Sequence, residues 1–384
     1  MKKVRQSYIR RGILGLLFSF VLFASISSEL GEWYAQNLYP GISKILSAFA
    51  SPFPFSLTEW VVILGIGWVV GYPFYARIHN QKKWLAILSG EVEALLWIYV
   101  WFYWGWGMNY YRSSFFTRAE VRPAKYDEVR FHQFLDEFTD SLHASFHIYR
   151  KDERLASFNV LAPLSEVLVD KGSSTLGNRG GVSTDSIQNE IKALYRLVPS
   201  KYGLTVPQTY QHPKRSSFNS LYSNVGVLGF MGPFFAESHM NGELSTLEYP
   251  FTYAHELSHL LGVSGEAEAN LWAYTVCTHS KDDFIRFCGY FGLFTYVWSN
   301  ARYLLPASDF EKWEASIAPE IMAAFHHTHG YWSMRYNRTL GDMQSALYTF
   351  YLKRNRISSG QRNYAQVVGL LLSLPDFRIR LGER

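Results

Sequence analysis

Cysteine is nearly missing from this chain: there are two in 384 residues, Cys277 and Cys288. So few exclude a disulfide-built scaffold, and with it a thiolate metal motif, which needs cysteines in closely spaced groups. A single bridge between the two stays open, as do two free buried thiols. Internal repeats and low-complexity tails are also missing. The glycine-rich stretch 171–184 ends in Gly180-Gly181-Val182-Ser183-Thr184 but lacks the lysine and spacing of a phosphate-cradling loop. It reads instead as a loop leading into a helix that Ser183 or Asp185 caps and that runs to about Leu197.

Apolar residues are plentiful, at 48% with 17% aromatic, and they are unevenly placed. Gly12 to Ile26 is an uncharged run behind Lys2, Lys3, Arg5, Arg10 and Arg11. It is short for a span unless flanking residues join it, and its basic start and small residues at Ala24 to Ser28 also fit a cleaved signal peptide. Leu57 to Ala76 and Leu85 to Met108 are two further candidate spans. The later half of the last carries Trp97, Trp101, Trp104 and Trp106, as membrane interfaces do. Positive charge clusters at the N-terminus and at Arg77, Lys82 and Lys83, while the loop after the first run has Glu29, Glu32 and only Lys44. That asymmetry predicts a cytoplasmic N-terminus and three crossings that deliver the rest outside. The net charge of +5 is therefore partly a topology signal and no nucleic-acid footprint.

Beyond Arg112 the pattern suits a separate folded part. Tyr126 to His147 has helical apolar spacing, and 201–249 breaks into short β-prone pieces, with Val225 to Ser238 reading as a strand pair or a strand and turn. Asp283 to Leu305 is aromatic-rich, but Arg286, Asn300 and Arg302 bound or interrupt it. It reads as a buried helix rather than a fourth span. Tyr364 to Leu374 reads as a core helix.

The most informative string is His255-Glu256-Leu257-Ser258-His259. On a helix, positions i and i+4 share a face, so both imidazoles can reach one ion, and Glu256 beside them can take a proton from a water that the ion activates. Gly262 can end that helix. Val263-Ser264-Gly265 can then return a carboxylate, and Glu266 is the preferred third ligand over Glu268, which would point to the other side of the next helix. Ser264 is the expected cap there, and Asn270, four residues after Glu266, is expected to orient a ligand. His239 in the strand pair, the His326, His327 and His329 cluster, and Tyr331 and Tyr336 are further candidates. An exposed loop or helix end explains the histidine cluster more readily, and a structural role explains His239.

Several segments together carry a resemblance: WGMNYYR at Trp106–Arg112, GFMGPFFAESHMN at Gly229–Asn241, YPFTYAHELSHLLGVSGEAEAN at Tyr249–Asn270, and the closing YLKRNR and NYAQVVGLLLSL. The chain resembles an uncharacterised family of bacterial multi-spanning membrane proteins, a domain of unknown function with a zincin-like HExxH. Members often read PFTGEANVN where this chain has Pro233 to Asn241, a departure that leaves Glu237 in place. The likeness to zinc peptidases supports His255, His259 and Glu266 as ligands of Zn2+, with Glu256 as catalytic base.

The expectation is a mainly α fold: N-terminal transmembrane helices in a membrane domain of residues 1–110, then an extracytoplasmic zincin-like α+β metalloprotease domain of residues 111–384. The expected function is a membrane-anchored zinc metallopeptidase in the bacterial inner membrane. Its partners would be the lipid bilayer and a peptide or protein substrate, with no nucleic acid. A noncatalytic envelope scaffold with a structural zinc site, or a zinc amidase acting on cell-wall peptides, are the alternatives. An intact Glu256 argues against the scaffold, because a structural site needs no base.

Overall fold

A computed structural model of the chain describes residues 2–150, 183–354 and 367–382, which are mainly helical with one small sheet. They fall into two units: Met1–Ser113 with Met231–Glu237, and Ser114–Phe230 with Ser238–Arg384.

In the first unit the apolar runs form helices α1 (Lys2–Ile26), α2 (Leu57–Ile78) and α3 (Trp84–Gly105). Gln6–Ile26, Leu57–Ile78 and Trp84–Gly105 are long and apolar enough to cross a bilayer. The first gains its length from the flanking residues that precede Gly12. The third stops at Gly105, short of the expected Met108, and a 3-10 turn at Gly107–Tyr111 follows. A side chain at Gly107 would meet the Phe102 ring, so the chain needs glycine where it leaves the helix. Along α2, Trp60, Leu64, Ile66, Val70 and Phe74 all stand exposed, and only 6% of the span is buried. Water does not tolerate such a surface on a stable monomer, whereas a lipid interior does, which marks a membrane protein.

Glu237 has a clear task in this unit. Its carboxylate accepts the N–H groups of Leu57 (3.2 Å) and Thr58 (2.9 Å), while Ser56 Oγ accepts that of Glu59 at 3.0 Å. Together they satisfy the orphan donors at the start of α2 and place negative charge at its positive end. Phe234 and Phe235, just before it, pack on the Trp101 ring.

The second unit is built around a helix with hardly any exposed surface. Helices α4 (Glu128–Arg150), α5 (Thr184–Tyr195), α6 (Tyr249–Leu260), α7 (Glu266–Thr278) and α8 (Asp283–Leu304) supply most of its core. The central helix α7 packs on α6 and α8, and its Ala269, Leu271, Trp272 and Val276 are fully buried. α8 is a buried helix, as its interrupting polar residues predict. Phe284, Leu293, Phe294 and Val297 are wholly inside, Phe287 stacks on Tyr149 at 5.1 Å, and α8 is not among the helices fit to span. Ser183 caps α5, its Oγ accepting the Asp185 N–H at 3.2 Å. The glycine-rich residues 171–182 before it lie outside the described residues. So do residues 364–366 of the expected last helix, whose remainder, Val367–Ser373, is mostly buried.

Three strands form the sheet, in the order β1 (Lys214–Arg215), β3 (Glu237–Met240), β2 (Gly229–Gly232), with β1 parallel to β3 and Lys214 opposite His239. β2 and β3 are the expected strand pair, and β2 is left at an edge. Cys277 and Cys288 are buried and free, so the bridge that the sequence left open is not made. Burial pushes both thiols up, away from the reactive thiolate.

Helix α9 (Pro319–Arg335) corrects one expectation. His326, His327 and His329 lie exposed along its middle rather than on a loop or helix end. Ile321 and Phe325, four apart, are buried, while His326 and His327 turn outward and the exposed His329, one turn on from Phe325, lies against its ring with centres 5.6 Å apart. The last long helix, α10 (Arg338–Arg354), follows directly.

Candidate metal centre

The site begins with how α6 is started and stopped. Ser245 and Glu248 form a reciprocal pair: the Ser245 N–H donates to Glu248 Oε2 at 3.0 Å, and the Glu248 N–H donates to Ser245 Oγ at 3.3 Å. The pair closes the turn that leads into α6, and Pro250 in the first turn of the helix lacks only an N–H that has no partner there. Trp332 Nε1 donates to the other Glu248 oxygen at 2.7 Å, and burial pushes the Glu248 carboxyl up. At the far end Gly262 adopts φ 97°, a left-handed conformation that favours glycine, and the Val263 N–H returns to Ser258 O at 3.1 Å. The reversal brings in α7, whose first residue is Glu266. Its N-cap position is Gly265, with no side-chain cap, so the expected capping by Ser264 is not found.

Three ligand-type atoms then converge. His255 Nε2 lies 3.1 Å from His259 Nε2, and Glu266 Oε2 lies 3.2 Å from the first and 3.4 Å from the second. The three residues form a group that could hold a metal ion. Ligand atoms roughly 2.1 Å from a tetrahedral zinc stand roughly 3.4 Å from one another, so the spacing suits such an ion. The outer nitrogens strengthen the case. His255 Nδ1 is 2.8 Å from Asn270 Oδ1, and His259 Nδ1 is 2.8 Å from the Val263 carbonyl oxygen. Both partners are acceptors, so each Nδ1 carries the proton and each Nε2 lone pair faces the cluster, the tautomer that metal ligation needs.

The cluster calls for positive charge, and with no cation bound a proton on His259 supplies it. Burial works to lower the His259 pKa, but the Glu266 charge and hydrogen bond override it and raise it to about 9. Burial would raise Glu266, yet the neighbouring His259 charge holds its carboxyl well below the usual range. Glu256 is buried beside them, and desolvation pushes its carboxyl up, toward the range of a working base. Its Oε2 has no hydrogen-bond partner. The backbone of β2 presses on it: a Cβ at Gly229 would stand 2.7 Å from Glu256 Cγ and 2.9 Å from its Oε1. Only glycine lets the edge strand come so close to this carboxylate.

The other candidates are placed elsewhere. Glu268 belongs to a different network, with Arg118 Nη2 donating to it at 2.5 Å, Trp272 Nε1 at 3.1 Å, and the same Arg118 donating to Tyr202 O. His239 is fully buried, stacked on Phe230 with ring centres 4.1 Å apart. Tyr331 lies under the Arg335 guanidinium, and the Tyr336 hydroxyl faces Asp342. Two other tyrosines reach the cluster: Tyr296 on α8 lies beside Glu266 and Asn270, and Tyr348 on α10 donates its hydroxyl to Glu266 Oε1. The sequence gives no pointer to Tyr348, since it sits 82 residues from Glu266 in a helix of mixed polarity. Gly229 was equally hidden, because a lone glycine ahead of a strand has many ordinary explanations.

Fold and site thus define a membrane protein with an internal cluster of two histidines and a glutamate. The chain belongs to the family described as "Protein of unknown function (DUF3810)", whose model matches residues 34–372. Comparison with curated proteins and with solved structures gives no match.

Proposed function

We propose that this protein is a membrane-anchored zinc metallopeptidase of the zincin kind. The observation that carries the reading is the convergence of His255 Nε2, His259 Nε2 and Glu266 Oε2 within 3.4 Å, with both Nδ1 atoms already committed to acceptors. Bound there, zinc supplies Lewis acidity, which brings the pKa of water toward neutrality and polarises a carbonyl oxygen. The chain's own residues do the rest. His255 and His259 hold their lone pairs inward through Asn270 and Val263. Glu256 takes a proton from the attacking water and passes it to the amide nitrogen as the C–N bond breaks, so that the hydroxyl ends on the acyl carbon and the proton on the leaving amine. β2 is an edge strand with Gly229 against Glu256, and a peptide lying along it in extended form would bring its backbone past the base.

The test is metal content. Purified protein is expected to hold about one zinc per chain, and replacing His255 or His259 with Ala to remove most of it. Full zinc retention in both variants would reject the site.

Where the reaction takes place follows from charge. The basic clusters at the N-terminus and at 77–83 argue for a bacterial inner-membrane protein with its N-terminus in the cytoplasm and the metal cluster outside. A reporter active only in the cytoplasm should work when fused after Lys83. One active only outside should work after Tyr126 or Arg384. A cytoplasmic Tyr126 fusion would end the case for envelope substrates.

A further inference from the structure

The Glu266 carboxylate is shared between two neighbours. Its Oε2 faces the two imidazoles, at 3.2 and 3.4 Å, and its Oε1 accepts the Tyr348 hydroxyl at 2.5 Å. Glu266 is 4% exposed, so water does not compete freely for either oxygen. A carboxylate beside a divalent ion can give it one oxygen or both, and the choice fixes how many coordination positions remain for water and substrate. A phenol donating to a charged, buried carboxylate makes one of the stronger hydrogen bonds available to a neutral side chain, and it engages the oxygen that a two-oxygen mode would require.

We infer that Tyr348 is a positioning residue that holds Glu266 to one-oxygen ligation of a divalent cation between His255 and His259. The inference rests on the reading of that cluster as a zinc site and adds to it a residue from a helix far along the chain. Tyr348 has a geometric partner in Asn270, whose Oδ1 fixes His255 in the same way. One ligand is thus steadied from within α7 and another from α10. Tyr348 touches neither the ion nor, on this view, the substrate. Its effect passes through Glu266.

Cobalt provides the readout, because its visible bands are intense when it is four-coordinate and weaken as the coordination number rises. The full-length protein in detergent would be loaded with Co2+, its spectrum recorded, and its Zn2+ affinity measured by chelator competition. Tyr348→Phe is expected to lower zinc affinity roughly 10- to 100-fold, the usual loss when a ligand's hydrogen-bond partner is removed, and to weaken the cobalt bands as the freed Oε1 joins the ion. Leu347→Ala, on the solvent face of the same helix at 65% exposed, should change neither. If Phe at position 348 prevents folding, Tyr348→Met, which also lacks a donor and packs more adaptably, takes its place with the same expectations. An unchanged cobalt spectrum overturns the inference, whether affinity falls or not. A loss of turnover with spectrum and affinity both intact would assign Tyr348 to the substrate and overturn it too. A wild-type protein that takes up neither cobalt nor zinc would remove the zinc reading itself, a result distinct from either.

Discussion

Glu256→Gln is expected to leave zinc in place and cost roughly 10²- to 10⁴-fold in peptide turnover, the usual worth of a positioned acid–base group. Gln matches Glu in shape, so the close approach of Gly229 is preserved and the three ligand atoms, on other residues, are untouched. What is lost is the ability to accept a proton. The loss should appear in kcat more than in KM, since an uncharged amide in the same place still lines the site without serving the transition state. Zinc measured per chain and turnover of an extended peptide decide the matter together. Zinc retained with turnover unchanged would show that Glu256 is no base. Zinc lost along with turnover would show that it helps to hold the ion.

The sequence made some of this architecture legible and hid the rest for physical reasons. Long apolar runs announce α1, α2 and α3, because a helix that must be apolar on every side cannot be encoded any other way. The His255–His259 pair is equally visible, since four-residue spacing on a helix fixes a shared face, and Gly262 marks the reversal by the left-handed conformation it takes. The failures lie where a role depends on distant contacts. Ser264 has a capping side chain but sits one residue before the position that needs it. Glu237 stood out in the sequence without a role, because the helix whose N-terminus it caps begins 180 residues earlier. The Tyr348 bond to Glu266 is of the same kind. Local periodicity says which face of a segment is buried, and it says nothing about which remote side chain meets it there.

The two glutamates of α7 should separate cleanly by experiment, because they fail in different ways. Glu266→Ala removes an oxygen that stands within 3.4 Å of both imidazoles, and zinc affinity should fall by more than the roughly 10- to 100-fold expected for Asn270→Ala, which removes only the acceptor that orients His255. Glu268→Ala should change zinc affinity least of the three. Its cost appears in folding instead. Arg118 is buried, its side chain 7% exposed, and Glu268 is its carboxylate partner at 2.5 Å. Removing Glu268 breaks an ion pair whose two side chains are both nearly buried, a loss of about 3–5 kcal/mol by the usual measure of a broken buried pair. Isothermal zinc titration should therefore rank Glu266→Ala worst and Glu268→Ala mildest, while thermal unfolding of metal-free Glu268→Ala should show a clear loss of stability that its zinc affinity does not. If Glu268→Ala instead weakened zinc binding more than Glu266→Ala while leaving the metal-free fold as stable as wild type, the ligand role would pass to Glu268, and the assignment of Asn270 as the residue that orients His255 would go with it.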